Sequence, residues 1–393
     1  MRILHVIPSL AARDGGSSRA TIDLCRQLLR EGEYVEIYTT NADGNGSQNV
    51  PLDTAVCVRG VQVSYFPTVG GNYYKLSPRF AYAVNRAIPR FDLVHINSLY
   101  QFPSTAAAHS CRKYGVPYVI TPHGSLDPYL HSRHRIRKRL YESLFEQKNL
   151  ATAAAVHFTS VEEMHLAKLS GFKFRPWVAS LGVELEPAPD HWDTIVSDRW
   201  PELAGKEVVL FLGRINFKKG LDILARAFGR IHRESQAAQL VIAGPDNEDF
   251  GRQVREWLSA EGCLSSVTFT GMVEGVLKSS LLKRAQVFAL PSQTENFGIA
   301  LVEAMGAGVP VVLSDKVNIW REIRDAKAGL VVDTDSDKFA EAISKLLNNR
   351  RLAREIASRG YRLARERFSW EAVGHGVLEL YRAVGSAVRC IQA

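Results

Sequence analysis

The chain has 393 residues, 46% of them hydrophobic and 23% charged, with a formal net charge of +8. That length is enough for two domains, each burying its own core, and the composition excludes a disordered or fibrous chain. No run approaches 18 apolar residues, which excludes a membrane-spanning segment by hydropathy; the five cysteines (25, 57, 111, 263 and 390) form no Cys-x-x-Cys, which argues for a reducing compartment and against structural zinc.

The opening MRILHVIPSL is apolar but short. It lacks a basic lead and a small-residue cleavage site, and so predicts a first strand rather than a signal peptide. Asp14-Gly15-Gly16-Ser17 follows as a loop, then a helix over about Ala20–Arg30. Further strands are expected at YVEIYTT, VQVSYF, DLVHIN, PYVIT and AVHFT, with helices between most of them, for example Thr105–Lys113. The second half repeats the alternation with VVLFLG, QLVIAG, VTFTG, VFALP, VPVVLS and GLVV, and from Phe339 the pattern is helical almost to the end. Strand and helix in alternation predict an α/β fold of parallel sheets covered on both faces. Two sets of about six strands predict two doubly wound domains. The Pro- and Asp-rich LGVELEPAPDHWDTIVSDRWPELAG marks the boundary, giving residues 1–182 and 183–369, with 370–393 as a closing segment. Neither half has Gly-x-Gly-x-x-Gly after a strand, which argues against nicotinamide or flavin.

The charge is uneven. Residues 1–180 hold 21 Lys and Arg against 13 Asp and Glu, whereas residues 181–393 hold 28 of each. Arg133, Arg135, Arg137, Lys138 and Arg139 lead into Leu140, Leu144 and Phe145, which predicts a basic amphipathic helix over 133–148. Such a helix is either a solvated face or a surface for anionic lipid. No interleaved aromatics or nucleic-acid motif accompany it, so no nucleic-acid partner is expected.

Two segments carry the chemistry. In SQTENFGIALVEAMGAGVPVV, Glu295 and Glu303 stand either side of Asn296-Phe297-Gly298, between a buried strand and a helix that starts with Ile299, Leu301, Val302 and Met305. The first N–H groups of that helix favour an anion, and flanking carboxylates accept hydrogen bonds from hydroxyls. Phosphates on amides with hydroxyls on carboxylates suit a sugar nucleotide. In VVLFLGRINFKKG, Arg214, Lys218 and Lys219 occupy a second strand-to-helix loop, with a helix from about Leu221. Read alone, the loop is equally a solvated basic turn; beside the glutamate segment, it can neutralise a diphosphate leaving group.

These segments, with GGSSRATIDLCRQLLREG near the start and FSWEAVGHGVLELYRAV near the end, resemble the family 4 retaining glycosyltransferases of the GT-B architecture. The resemblance runs nearly end to end. It implies two facing Rossmann-like domains with an interdomain cleft: an N-terminal acceptor-binding domain, a C-terminal nucleotide-sugar-binding domain, and a last helix crossing back to the first. It gives Glu295 the donor-sugar hydroxyls, Glu303 the ribose hydroxyls, and Arg214 and Lys219 the departing diphosphate. The amides of Asn296, Phe297 and Gly298 lie beside the sugar, and Asn296 replaces a smaller residue of many relatives. His123, in VITPHGSLDPY, matches the histidine facing the donor sugar, although a lone histidine is also an ordinary structural residue. Gly16 matches a glycine whose backbone meets donor or acceptor. Gly15 and Asp127 are weaker acceptor-side candidates, Asp127 reading equally as a helix N-cap.

The implied reaction is metal-independent transfer, with retention, of a hexosyl group from UDP-glucose or a related UDP-hexose to a sugar or lipid-linked glycan. The basic N-terminal face and the bacterial-looking chain suggest a membrane-bound, lipid-linked glycan acceptor, as in extracellular polysaccharide assembly, with a free sugar phosphate as the alternative acceptor. The expected location is the cytoplasm, either free or peripheral on the inner face of the plasma membrane. No cofactor is expected. Asp333, Asp335 and Asp337 resemble the start of a calcium loop or a metal-binding Asp-x-Asp, but Lys338 and Ser344 stand where such a loop needs Gly and Glu, so helix capping is expected instead. An epimerase or hydrolase of the same architecture and a non-catalytic nucleotide-sugar sensor are the alternatives.

Overall fold

A computed structural model describes residues 1–11, 15–128, 141–246 and 249–392, with side chains as far as Ser386. The chain divides into two compact units: Met1–Gly182 together with the helix from Trp370, and Val183–Ser369.

The strands of the first unit are β1 (Arg2–Ser9), β2 (Tyr34–Thr40), a two-residue pair β3 (Ala42–Asp43) and β4 (Gly46–Ser47), β5 (Ala55–Val58), β6 (Val61–Phe66), β7 (Leu93–Asn97), β8 (Tyr118–Thr121), β9 (Ala155–Phe158) and β10 (Pro176–Val178). Eight of them form one sheet in the order β10-β9-β8-β7-β1-β2-β6-β5. All neighbours are parallel except β5, which runs antiparallel to β6 at the edge. The central strands are apolar throughout because helices cover both faces; Ile3, Leu4, Val6, Val94, Ile96 and Val156 are all fully buried. The last helix, Trp370–Gln392, packs against the Gly16–Arg30 helix of the same unit. Two glycines permit that docking. A Cβ on Gly182 would lie 2.2 Å from the Trp370 indole, and one on Gly374 2.7 Å from Gln27.

The second unit holds β11 (Glu207–Leu212), β12 (Ala238–Ala243), β13 (Val267–Gly271), β14 (Val287–Leu290), β15 (Val311–Ser314) and β16 (Leu330–Val332). They form one parallel sheet in the order β13-β12-β11-β14-β15-β16. Strand order reverses between β11 and β14, and in the first unit beside β1. Ligands of open α/β sheets sit beyond the carboxyl ends of the strands at such reversals.

The first sheet is larger than the expected six strands. β5 (AVCV) is half exposed and β10 begins at a proline, so neither shows a buried apolar run. The first helix starts at Gly16 rather than near Ala20, because Gly-Ser-Ser reads as loop although its backbone is helical. Half of the basic segment 133–148, including Arg133, Arg135, Arg137, Lys138 and Arg139, lies outside the described residues; within its described part, Leu144 and Phe145 are exposed. Cys25, Cys57, Cys111 and Cys263 are unpaired. Among the described residues, no helix is long and apolar enough to cross a membrane.

Candidate functional site

In the second unit, two strand-to-helix loops are built against each other. After β11 the chain passes Arg214, makes a tight turn over Phe217–Lys219 capped by the Asn216 side chain, and enters the Leu221–Glu234 helix through Gly220. After β14 it passes Glu295 and enters the Ile299–Gly306 helix through Gly298, at φ 83°. The Gln293 N–H donates to the Lys218 carbonyl at 2.7 Å. Gly220 has φ 63°, and a Cβ there would lie 2.1 Å from the Pro291 carbonyl oxygen. Only glycine accommodates both that backbone and that approach.

This packing brings Arg214, Lys219 and Glu295 together. The Lys219 ammonium forms an ion pair with the Glu295 carboxylate. Burial opposes ionisation of Glu295, but Lys219, the Arg214 charge and the Phe297 N–H outweigh it and hold the carboxyl below its ordinary range. Arg214 itself is exposed. The Glu295 backbone is fixed on its far side: its N–H donates to the Lys316 carbonyl at 3.0 Å, and its carbonyl accepts from the Asn318 N–H at 2.9 Å. Asn318 also donates to the Asn296 side-chain oxygen at 3.4 Å. Phe297 is buried edge-on against Phe368, with ring centroids 5.5 Å apart, so only its backbone serves the loop.

Glu303, one turn into the following helix, is held by Lys278 at 2.7 Å. Lys278 was not singled out from the sequence, where a lysine in a helical run reads as surface. The helix position Lys278 occupies is nonetheless buried. A cavity of about 680 Å³ adjoins the loop at Ile215 and opens between Gly244, Pro245, Arg252, Arg255 and Phe269, with Arg255 stacked 3.8 Å over the Phe269 ring.

In the first unit, a smaller cavity of about 230 Å³ lies at the carboxyl ends of β1, β7 and β8, lined by Ser9, Ser17, Ser18, Asn97, Ser98 and His123 among others. Gly15, at φ 80° and ψ −142°, and Gly16 immediately precede two of those serines. His123 has φ 50°, uncommon for a residue with a Cβ. Its turn is pinned by buried Glu163, which accepts from the Gly124 N–H and from the Thr159 N–H and hydroxyl, each at 2.7 Å. Burial and the neighbouring His157 lower His123 to about 4, so it is neutral near pH 7. Asp127 lies beyond this turn, its N–H donating to the Gly124 carbonyl at 3.1 Å, and does not line the cavity. The helix it was expected to cap lies outside the described residues.

The three aspartates resolve into a cap and two ion pairs, Asp337 lying 3.3 Å from the Arg230 guanidinium. Asp335 accepts from the Lys338 N–H at 2.9 Å at the start of the Ser336–Asn348 helix, and Asp333 pairs with the Lys338 ammonium. Among the described residues, no three His, Cys, Asp or Glu side chains are grouped so as to hold a metal ion.

Two Rossmann-like units with convergent cationic and carboxylate loops define a glycosyltransferase of the GT-B architecture. The comparisons agree. Residues 14–186 match the family described as Glycosyltransferase Family 4, and residues 195–363 that described as Glycosyl transferases group 1. Phosphatidyl-myo-inositol mannosyltransferase of Mycobacterium leprae (strain TN) is 32% identical over 406 residues, covering 100% of this chain and 99% of the relative. D-inositol 3-phosphate glycosyltransferase of Jonesia denitrificans is 25% identical, covering 93% and 91%. The structure of Anabaena HepE in complex with UDP-glucose superposes with a TM-score of 0.78 at 20% identity, covering 98% of this chain and 100% of that one. The chain belongs to glycosyltransferase family 4.

Proposed function

We propose that the protein transfers a hexosyl group, with retention and without a metal, from a UDP-hexose such as UDP-glucose to a sugar or lipid-linked glycan. One observation carries this reading: Arg214, Lys219 and Glu295 converge from two loops at a strand-order reversal. The diphosphate lies against Arg214 and Lys219, which supply the charge stabilisation that a metal supplies in other transferases. Glu295 accepts hydroxyls of the donor sugar, Glu303 those of the ribose, and His123 and Gly16 face the reacting sugar. Asn296, Phe297 and Gly298 flank the sugar through their backbone. Gly15 and Asp127 belong to the acceptor side.

The bond from the anomeric carbon to the β-phosphate oxygen breaks as the acceptor oxygen bonds to the same face. The acceptor's proton passes to the departing phosphate, so charge and atoms balance without a protein nucleophile. The solved relative contains UDP-glucose, which supports the donor class. The M. leprae relative is named for phosphatidyl-myo-inositol, which supports a lipid-borne acceptor, as in extracellular polysaccharide assembly at the inner face of the plasma membrane.

A panel of nucleotide sugars scored by thermal shift with chelator present tests the donor. A shift with UDP-hexoses supports the reading, and no shift with any nucleotide sugar overturns it. Anomeric NMR of the product tests retention: an inverted product excludes the same-face step.

A further inference from the structure

His5, His95 and His157 stand on β1, β7 and β9 and are all buried. Strand register pairs His5 with His95, ring centroids 4.8 Å apart. Burial holds all three neutral near pH 7, lowering His5 to about 3, His157 to about 4 and His95 well below its ordinary value. A neutral imidazole has one N–H and one lone pair, so a single fixed direction propagates along a chain of such rings.

The Ala179 carbonyl fixes that direction, because it can only accept. His157 Nε2, 2.8 Å away, therefore carries the proton, and its Nδ1 is a lone pair. Thr121 donates to that Nδ1 across 3.0 Å, and its oxygen accepts from His95 Nε2 at 2.6 Å. His95 Nδ1 accepts from the Tyr381 hydroxyl at 2.5 Å, and the Tyr381 oxygen accepts from His5 Nε2 at 3.3 Å. His5 Nδ1 accepts from Asn97 Nδ2 at 3.4 Å. An independent pair of contacts fixes the same Asn97 orientation: Nδ2 lies 3.3 Å from the Val6 carbonyl and 3.4 Å from the His95 carbonyl, both acceptors only. Asn97 Oδ1 is thereby turned to His123 Nε2 at 3.3 Å.

We propose that Asn97 is a positioning residue that fixes His123 as its Nε2–H tautomer and leaves Nδ1 as an acceptor for a hydroxyl ligand. Tyr381, from the closing helix, and the Ala179 carbonyl hold the sense of the whole chain. No other hydrogen-bond partner of His123 is found among the described residues, and His123 and Asn97 both line the cavity that holds Ser9, Ser17 and Ser98. That the hydroxyl belongs to a sugar rests on the transfer reading above; the tautomer does not.

The test is histidine ¹⁵N NMR of the full chain without substrate, with His123→Gln used to assign the signal. The wild type should show a protonated Nε2 and a bare Nδ1 at His123. Asn97→Ala should convert this to a mixture of tautomers. Asn97→Asp should retain Nε2–H and raise the His123 pKa, because a carboxylate replaces the amide oxygen. Tyr381→Phe, which keeps the ring, should shift His5 and His95 out of their single tautomers. An Nδ1–H signal in the wild type overturns the proposal, as does an unaltered His123 signal in Asn97→Ala. If Asn97→Ala does not fold, an unaltered His123 pKa in Asn97→Asp overturns it instead. None of these readouts requires turnover, so a failure here is distinct from a failure to find a sugar donor.

Discussion

The Lys219 ammonium and the Glu295 carboxylate pair with each other across 76 residues of sequence, each from a different strand-to-helix loop of the second unit. The pair joins two functions assigned to separate motifs. While they are paired, the Lys219 charge helps hold the Glu295 carboxyl below its ordinary range. A diphosphate donor would compete with Glu295 for the Lys219 charge.

That coupling predicts acid behaviour. Glu295 has its carboxyl lowered in the folded state, so it contributes stability that is present above the unfolded carboxylate pKa and lost as pH falls through the lowered folded value. Lys219→Met leaves burial as the dominant influence and raises that pKa. The acid-unfolding midpoint should therefore move to higher pH in Lys219→Met and return toward wild type in the double variant with Glu295→Gln. Equal midpoints for wild type and Lys219→Met would show the pair to be energetically idle.

The first unit should weaken with acid at a higher pH. His5, His123 and His157 are lowered to about 3, 4 and 4, whereas an unfolded histidine titrates near 6.5. The unfolded chain therefore binds protons that the folded chain refuses, and stability falls with falling pH from about 6.5 toward 4. Each such histidine contributes up to about 1.4 kcal/mol per pH unit in that window. Urea midpoints across this range, followed by hydrogen exchange in β1, β7 and β8, should decline steeply. A flat profile above pH 5 contradicts the assignment of neutral buried imidazoles.

Lys278→Ala removes the partner of Glu303 at a position where both side chains are 11% exposed. Breaking a mostly buried pair from one side leaves a charge without compensation and costs about 3 kcal/mol. Chemical denaturation of the second unit should show that loss. Glu303→Gln with Lys278→Met should recover part of it, which a purely steric effect of the lysine would not allow.

Gly220→Ala places a Cβ 2.1 Å from the Pro291 carbonyl oxygen at a φ of 63°, so the Lys219 and Glu295 loops must separate. Nucleotide affinity should fall at least about tenfold, a loss of about 1.4 kcal/mol. Gly262→Ala is the control: φ there is 71° and nothing lies within 4 Å of the new methyl, so the backbone penalty is similar but no loop is displaced. Equal nucleotide affinities in the two variants would remove the close approach as the cause.

The site was legible where a motif follows a strand. Arg214, Lys219 and Glu295 were readable as strand-to-helix loop residues, and Glu303 as a residue of the helix that follows, because an apolar run, a glycine and a helical period mark those segments. Lys278 was not, because burial of a lysine depends on which helix faces the Glu303 segment. Nor was the chain from Ala179 to His123. His5, His95 and His157 lie in three strands, and their contact follows from a β-sheet order and register that no local pattern encodes. Tyr381 reads only as an apolar position of a helix; its place beside His95 depends on where that helix docks. β5 and β10 were missed because edge strands lack the buried run that reveals a central one.

The central claim is tested most directly by release of nucleoside diphosphate from a panel of nucleotide sugars, with acceptor and chelator present, in wild type and Arg214→Ala. Removing one preorganised charge contact of this kind costs about 3 kcal/mol in the barrier, about a hundredfold in rate. The account predicts release from a UDP-hexose by wild type without metal, and about a hundredfold less by Arg214→Ala. Near-full turnover by Arg214→Ala, or release only when a divalent metal is added, would contradict it.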